Sequence, residues 1–332
     1  MEGLRELPER ALRDLLLSLS RRRAIGRLAT HLPITRPMVA RFVAGADLAG
    51  ALAAIEVLRG RGLRWTVDVL GEAVTSIELA RAAADRYVAT IGALAERGLE
   101  VNVSLKLSQM GLLVDAEACR ANVARIFTAA AERSGFVRID MEDHTMVDAT
   151  LALWRELRSV NPASGVVIQA ALRRSAADVE ALIAEGARIR LCKGAYKEPP
   201  EVAFETKAEV DRSFAALMER LLLAGTYPAI ATHDVRLIRR AIALAREHRI
   251  GADRFEFQML YGVRRDLQER LVAAGWRVRV YVPYGTEWYP YFMRRLAERP
   301  ANVLFLLRSL AREAWTEVAP RRSGASDRRS SS

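Results

Sequence analysis

At 332 residues, with 51% hydrophobic and 27% charged positions, the chain suits one large α/β barrel or two small domains around a sizeable core. A net charge of +11 and a pI near 10.2 point to an anionic ligand, an anionic membrane surface or nucleic acid; the arginine pairs are scattered and aromatics reach only 7%, which argues against a stacking surface for single strands. Two cysteines, Cys119 and Cys192, and four dispersed histidines exclude a disulfide framework and a zinc cluster, so no metal is expected.

Residues 1–45 read as a helical arm, with apolar residues at Leu12, Leu15, Leu16 and Leu19 and breaks at Pro33 and Pro37. Glu2, Glu6 and Glu9 argue against a signal peptide, and no run reaches membrane-span length. The expected compartment is the reducing cytoplasm, with peripheral contact to an anionic membrane left open. From 46 to 315 one grammar repeats: an amphipathic helix, a glycine, then a short β-branched run. Gly62, Gly98, Gly135, Gly186, Gly225 and Gly275 are placed to stop each helix in a left-handed cap.

The strands fall at Arg64–Leu70, Leu99–Leu105, Phe136–Asp140, Gly165–Gln169, Arg188–Cys192, Tyr227–Ala231, Phe255–Gln258 and Arg277–Val282. Eight strands alternating with helices predict a closed (β/α)8, or TIM, barrel. A doubly wound sheet is the alternative, but Asp68-Val69-Leu70-Gly71-Glu72 lacks the glycine spacing of its phosphate turn. Residues 316–332 are basic and lack apolar anchors, so a disordered tail is expected.

Ligands of such barrels meet the C-terminal strand ends. Those ends carry Asp68 and Glu72, Lys106, Asp140, Gln169, Arg190 with Lys193, Thr232-His233-Asp234, Gln258 and Tyr281. Each has a bland reading. Asp140 could cap a helix, Lys106 could snorkel to water, Gln169 could bond backbone amides, and His233 could be an ordinary hydrogen-bonded core histidine. The arginines of Arg188–Cys192 could simply be solvated on an edge strand. Further on, Tyr291, Arg294, Arg295 and Glu298 share one face of a predicted helix, with Pro290 tolerated only in its first turn. Adjacent arginines suit a carboxylate, although Arg294 and Glu298 could form a solvated ion pair.

Taken together, Asp140-Met141-Glu142-Asp143, Arg190 to Tyr196, Ala231-Thr232-His233, Phe255-Glu256-Phe257-Gln258 and Tyr291-x-x-Arg294-Arg295-x-x-Glu298 resemble the monofunctional bacterial proline dehydrogenases. The resemblance implies a distorted (β/α)8 barrel with a C-terminal helix over its mouth, non-covalent FAD, and oxidation of L-proline to Δ1-pyrroline-5-carboxylate. Electrons would pass to a quinone or similar acceptor. The length fits the monofunctional form rather than the fusion with an aldehyde dehydrogenase. Carried over by position, Arg294 and Arg295 hold the proline carboxylate, Lys106 reaches the same group, and Asp140, Tyr281 and Tyr291 shape the pocket. Met141, Gln169, Arg190, Lys193, Gly194, Ala195, Thr232 and His233 hold the FAD, with Arg190 near the reactive flavin edge. Glu72 pairs with Arg294 in a closed state, and Glu298 belongs to the same gate. Cys192 stands where many relatives carry valine, and Tyr281 matches proline rather than hydroxyproline enzymes. Asp140 is the first candidate to accept the substrate amine's proton.

Two other classes compete. A Schiff-base lyase of the aldolase kind would use Lys106 or Lys193 as nucleophile. A basic nucleic-acid-binding protein would use the charge excess; the resemblance speaks for no nucleic acid.

Overall fold

The computed structural model describes residues 35–298. The expected basic tail and all but residues 35–45 of the expected arm lie outside them. Two compact units divide the chain: 39–288 forms one, and the described residues 35–38 and 289–298 belong to the other. The first unit is a closed barrel of eight parallel strands in chain order: β1 Arg64–Val69, β2 Asn102–Leu105, β3 Phe136–Ile139, β4 Ser164–Gln169, β5 Arg188–Cys192, β6 Ala229–Ala231, β7 Glu256–Leu260 and β8 Val278–Tyr284. Closure comes from pairing of β8 with β1, so no strand has a free edge.

Helices connect them: α1 Thr35–Phe42, α2 Leu48–Gly60, α3 Ile77–Glu96, α4 Leu107–Met110, α5 Ala116–Ala131, α6 Val147–Leu157, α7 Ser175–Ala184, α8 Lys207–Ala224, α9 Val235–Glu247, α10 Arg265–Ala273 and α11 Trp288–Glu298. Ser76 caps α3 through its hydroxyl, and Thr206 with Glu209 forms a capping box at α8. Pro37 and Pro290 sit in first turns, where the missing N–H costs nothing; Pro37 therefore opens a helix instead of breaking one.

Strand alternation splits the barrel wall into two faces. Val67, Val69, Val103, Leu105, Val137, Ile139, Ile189, Leu191 and Phe257 are buried in the hydrophobic core with residues such as Tyr87, Phe127 and Phe214 of the helices. The inter-strand register places the other phase of every strand inside the barrel. Arg138 pairs in register with Gly165, Gly165 with Arg188, Arg190 with Ala229, Glu256 with Ala229, and Gln258 with Arg279.

Four of the six expected glycine caps, Gly62, Gly98, Gly186 and Gly275, have positive φ. Gly135 and Gly225 do not; Ser134 and Tyr227 carry the left-handed turns there, at φ 50° and 48°. Those two glycines answer close approach instead, since a Cβ would come within 2.4 Å of Val101 Cγ1 and 2.6 Å of the Leu221 carbonyl. Strand ends also differ from expectation. β2 starts three residues late, while β7 and β8 run on to Leu260 and Tyr284. Gln258 and Tyr281 are therefore interior strand residues and not strand-end residues, as Arg190 is within a β5 of the expected length.

Candidate active site

The interior of this barrel is charged, where branched aliphatic layers are usual. Its lower layer holds Arg138, Glu256 and Arg279, all buried. Arg279 Nε donates to Glu256 at 2.7 Å, its far nitrogen meets Glu100 at 2.9 Å, and its third nitrogen donates to the Trp65 carbonyl at 2.6 Å. Burial alone would raise the Glu256 carboxyl, but Arg279 outweighs it and holds the group below its ordinary value. Arg138 donates to the Val166 and Arg188 carbonyls at 2.9 and 2.8 Å.

Toward the C-terminal ends of the strands a second layer forms. Arg190 donates from Nη1 to Asp140 Oδ1 at 2.6 Å, from Nη2 to Ser104 Oγ at 2.9 Å and from Nε to Gln258 Oε1 at 2.5 Å. Its guanidinium lies 5.2 Å from the centroid of the Tyr281 ring. The Tyr281 hydroxyl donates to Asp140 Oδ2 at 2.7 Å. Burial, then Asp140 and Asp68, push that phenol well above its ordinary value, so it acts as a donor. Lys106 Nζ donates to Asp68 Oδ1 at 2.9 Å and to the Tyr281 oxygen at 3.3 Å, with Asp140 Oδ2 at 3.8 Å. Two cations thus face two carboxylates. The Lys106 side chain is only 12% exposed, so it turns inward instead of snorkelling. Burial would lower its pKa, but Asp68 and Asp140 together raise it. A lysine held as ammonium is a poor Schiff-base nucleophile.

Loops above this layer organise the rim. Asp143, not Asp140, caps the turn that follows β3, accepting from Thr145 N. Glu142 is buried and accepts from the Ser108 amide at 2.9 Å and from the Ser108 hydroxyl; burial raises its pKa against those bonds. The Gln169 amide donates to the Glu142 carbonyl at 2.6 Å, tying the β4 end to the β3 loop. After β5, Lys193 donates to Asp211 at 2.5 Å and Asp234 at 3.3 Å, and Gly194 turns at φ 110°. Thr232 Oγ1 accepts from the Asp234 amide, and His233 Nε2 accepts from the Leu260 amide at 3.0 Å, so that ring nitrogen is the unprotonated one. His144 Nδ1 meets Glu198 at 2.5 Å, fastening the β5 loop to the β3 loop.

Asp234 also caps α9, accepting from Arg236 N at 3.0 Å. Burial would raise its pKa, yet the Arg236 and Lys193 bonds bring it down to about 2. A depressed carboxyl stabilises the fold above its unfolded value of 3.8, and that contribution is lost as pH falls through about 2. Replacing Asp234 by Ala is expected to cost about 1 kcal/mol at pH 7. Thermal melts should show the gap to wild type closing as the pH drops below 3.8 toward 2.

Comparison with known proteins fixes the family. The proline dehydrogenase family model matches residues 51–308. Proline dehydrogenase 2 of Bacillus subtilis (strain 168) is 39% identical over 301 residues, covering 91% of this chain and 99% of the relative. The chain belongs to the proline dehydrogenase family. The proline dehydrogenase of Deinococcus radiodurans is 43% identical over 275 residues, 81% of this chain and 89% of that one. A crystal structure of proline utilization A from Bdellovibrio bacteriovorus matches with a TM-score of 0.73 at 27% identity, over 79% of this chain. The chain spans 32% of that larger protein. Proline dehydrogenases are generally FAD-dependent.

Of the residues singled out in the sequence of this family member, Lys106, Asp140, Arg190 and Tyr281 share one network inside the barrel. Met141, next to Asp140, and Thr232 are buried, whereas Glu72, Ala195 and His233 are half-buried. Lys193 belongs to a separate cluster of ion pairs with Asp211, Asp234, Lys207 and Arg236. Tyr291 and Arg294 lie on α11; the side chains of Arg295 and Glu298 are outside the described residues. Sequence reading missed Ser104 and the layer of Arg138, Glu256 and Arg279. The signal was present, because each stands in the inward phase of a strand whose other phase is apolar. Among the described residues no cluster of three or more His, Cys, Asp or Glu could hold a metal, and no helix is long and apolar enough to cross a membrane.

Proposed function

We propose that this protein is an FAD-dependent proline dehydrogenase that oxidises L-proline to Δ1-pyrroline-5-carboxylate and passes the electrons to a quinone or similar acceptor. One observation carries the reading: in a chain of this family, Asp140, Arg190, Tyr281 and Lys106, far apart in sequence, are linked inside the barrel. The aldolase reading gets no support from the comparisons, and both of its lysines are committed to carboxylates.

The residues fit a flavin dinucleotide. A Cβ at Gly194 would come within 3.1 Å of Gln169 Oε1 and of Ala171 Cβ, and its φ is 110°, so the tight turn beside Gln169 requires glycine. Beside it three cations, Lys193, Lys207 and Arg236, outnumber the carboxylates of Asp211 and Asp234, which suits a bridging anion. Gln169, Arg190, the Lys193-Gly194-Ala195 turn, Thr232 and His233 would hold FAD without a covalent bond, with Met141 against it. When bound, FAD supplies the two-electron sink that no side chain provides.

The chain's own groups do the positioning. The family resemblance would assign the proline carboxylate to Arg294 and Arg295 with Lys106 reaching the same group, Tyr291 to the site lining, and Glu72 and Glu298 to the gate. Asp140 fixes both Tyr281 and Arg190, leaving the Arg190 cation to favour negative charge where it develops. In domain terms, the reading divides the chain into an N-terminal arm to residue 45, a catalytic part from 46 to 315 and a basic tail from 316, of which residues 35–298 are described. A cytoplasmic location with peripheral contact to anionic membrane would bring the acceptor within reach; co-sedimentation with anionic vesicles at low salt tests it.

Adding L-proline without oxygen should bleach the visible flavin band of the purified protein. A flavin-free protein, or a band indifferent to proline, would overturn the reading. Replacing Arg295 by Met should raise KM for proline roughly 10- to 100-fold, the loss of a charge-assisted bond, while the flavin spectrum is retained. An unchanged KM would remove Arg295 from the carboxylate site.

A further inference from the structure

We propose that Asp68 is the residue that takes up the proton lost by the substrate amine, and that it does so through Lys106. The inference rests on the reading of this protein as a proline oxidiser. Proline must surrender an ammonium proton before its ring nitrogen can form a double bond to carbon, so some group in the barrel has to accept it.

Asp140 was the first candidate from sequence, but both its oxygens already accept: Oδ1 from Arg190 and Oδ2 from Tyr281. Its place is to orient those two groups. Asp68 differs. It is 0% exposed, its Oδ1 accepts from Lys106, and its Oδ2 has no hydrogen-bond partner among the described residues. A buried carboxylate with one bare oxygen is poorly stabilised as an anion and well disposed to a proton. Burial raises the Asp68 carboxyl above its ordinary value and Lys106 offsets that only in part, which agrees with the geometry. The titratable and charged groups around it are Lys106 after β2, Tyr87 of α3 at 3.4 Å, Asp140 after β3, and Tyr281 and Tyr284 of β8. Lys106 is the one cation in direct contact with it among the described residues.

Lys106 supplies the connection. Carboxylate and ring nitrogen of proline hang on one carbon, so a lysine that reaches the carboxylate stands beside the amine as well. The amine gives one proton to Lys106 Nζ as Lys106 gives one to Asp68. Lys106 ends as the ammonium it began as, the amine becomes neutral, and Asp68 becomes a neutral carboxyl. No carbon bond changes in this step, and total charge is conserved. Asp68 is thus a proton-holding partner that acts through Lys106 without touching substrate.

The test is flavin reduction by L-proline without oxygen, followed across pH in wild type and in Asp68→Asn. Wild type should show an acidic limb; Asp68→Asn should retain its flavin, reduce roughly 100-fold more slowly or worse, and have that limb displaced upward to follow the free substrate amine. A merely structural loss would slow every pH alike and leave the limb in place, which would overturn the assignment. Where Asp68→Asn does not fold, infrared difference spectra of the wild-type protein decide: proline should produce a protonated-carboxyl band that shifts on 13C-aspartate labelling and persists in Asp140→Asn. Absence of that band would equally overturn it. If proline fails to bleach the wild-type flavin, the proline reading itself fails; if it bleaches and the limb stays put in Asp68→Asn, only the Asp68 assignment does.

Discussion

Replacing Glu256 by Ala is expected to destabilise the barrel by about 3–5 kcal/mol, the cost of removing one partner from a buried ion pair. Arg279 would keep only the half-exposed Glu100 and the Trp65 carbonyl, while its charge stays inside the barrel. Arg138 also loses a nearby counter-charge, and burial with Arg190 already lowers its pKa well below the ordinary value. The Gln258 amide, which donates to Glu256 at 2.5 Å, loses its acceptor too. A urea titration at neutral pH should show a much lower midpoint with an unchanged slope. The pH dependence has a fixed sign. Because the folded-state pKa of Glu256 is lowered, its contribution is complete above its unfolded value of 4.5 and fades as pH falls below it. Wild type and Glu256→Ala should therefore converge in acid. A variant as stable as wild type at neutral pH would mean that the lower layer contributes nothing.

Replacing Arg190 by Met is expected to slow flavin reduction by proline roughly 100- to 1,000-fold, the scale of losing one preorganised electrostatic group. Arg190→Lys should not rescue it. The guanidinium satisfies Asp140, Ser104 and Gln258 at once in three directions, whereas an ammonium on a shorter reach cannot span them. In either variant Asp140 loses the guanidinium bond and keeps the Tyr281 hydroxyl and the more distant Lys106 ammonium, so the pocket wall loosens. Stopped-flow reduction separates the two consequences: a lower limiting rate reports the missing cation, and weaker saturation by proline reports the loosened wall. Wild-type kinetics in Arg190→Lys would reduce the role of Arg190 to charge alone.

The two variants probe layers of very different legibility. Asp140, Arg190, Lys106 and Tyr281 were visible because each interrupts an apolar run near a predicted turn, where barrel chemistry collects. Arg138, Glu256 and Arg279 stand deeper in their strands and look, one strand at a time, like outward solvated charges. Arg188 shows that such a reading is sometimes right: it is exposed, while Arg190 two residues on, in the same phase, is 6% exposed. What separates them is height along the barrel axis, since Arg188 sits at the start of β5.

Legible in the sequence were the eight-fold alternation of helix and strand, most of the glycine caps, and the residue types gathered near the C-terminal mouth. Those follow from periodicity, glycine chemistry and turn propensity, which act over a few neighbouring residues. Motif resemblance added the family and its expected chemistry. Which charges meet is a matter of the folded chain. Arg190 and Asp140 are 50 positions apart and Lys106 and Tyr281 are 175 apart, so no local pattern encodes their pairing. Barrel closure and strand register bring them together, give each oxygen of Asp140 a donor, and leave Asp68 Oδ2 without one. A free hydrogen-bonding capacity is a property of the packed interior, where water cannot supply the missing partner.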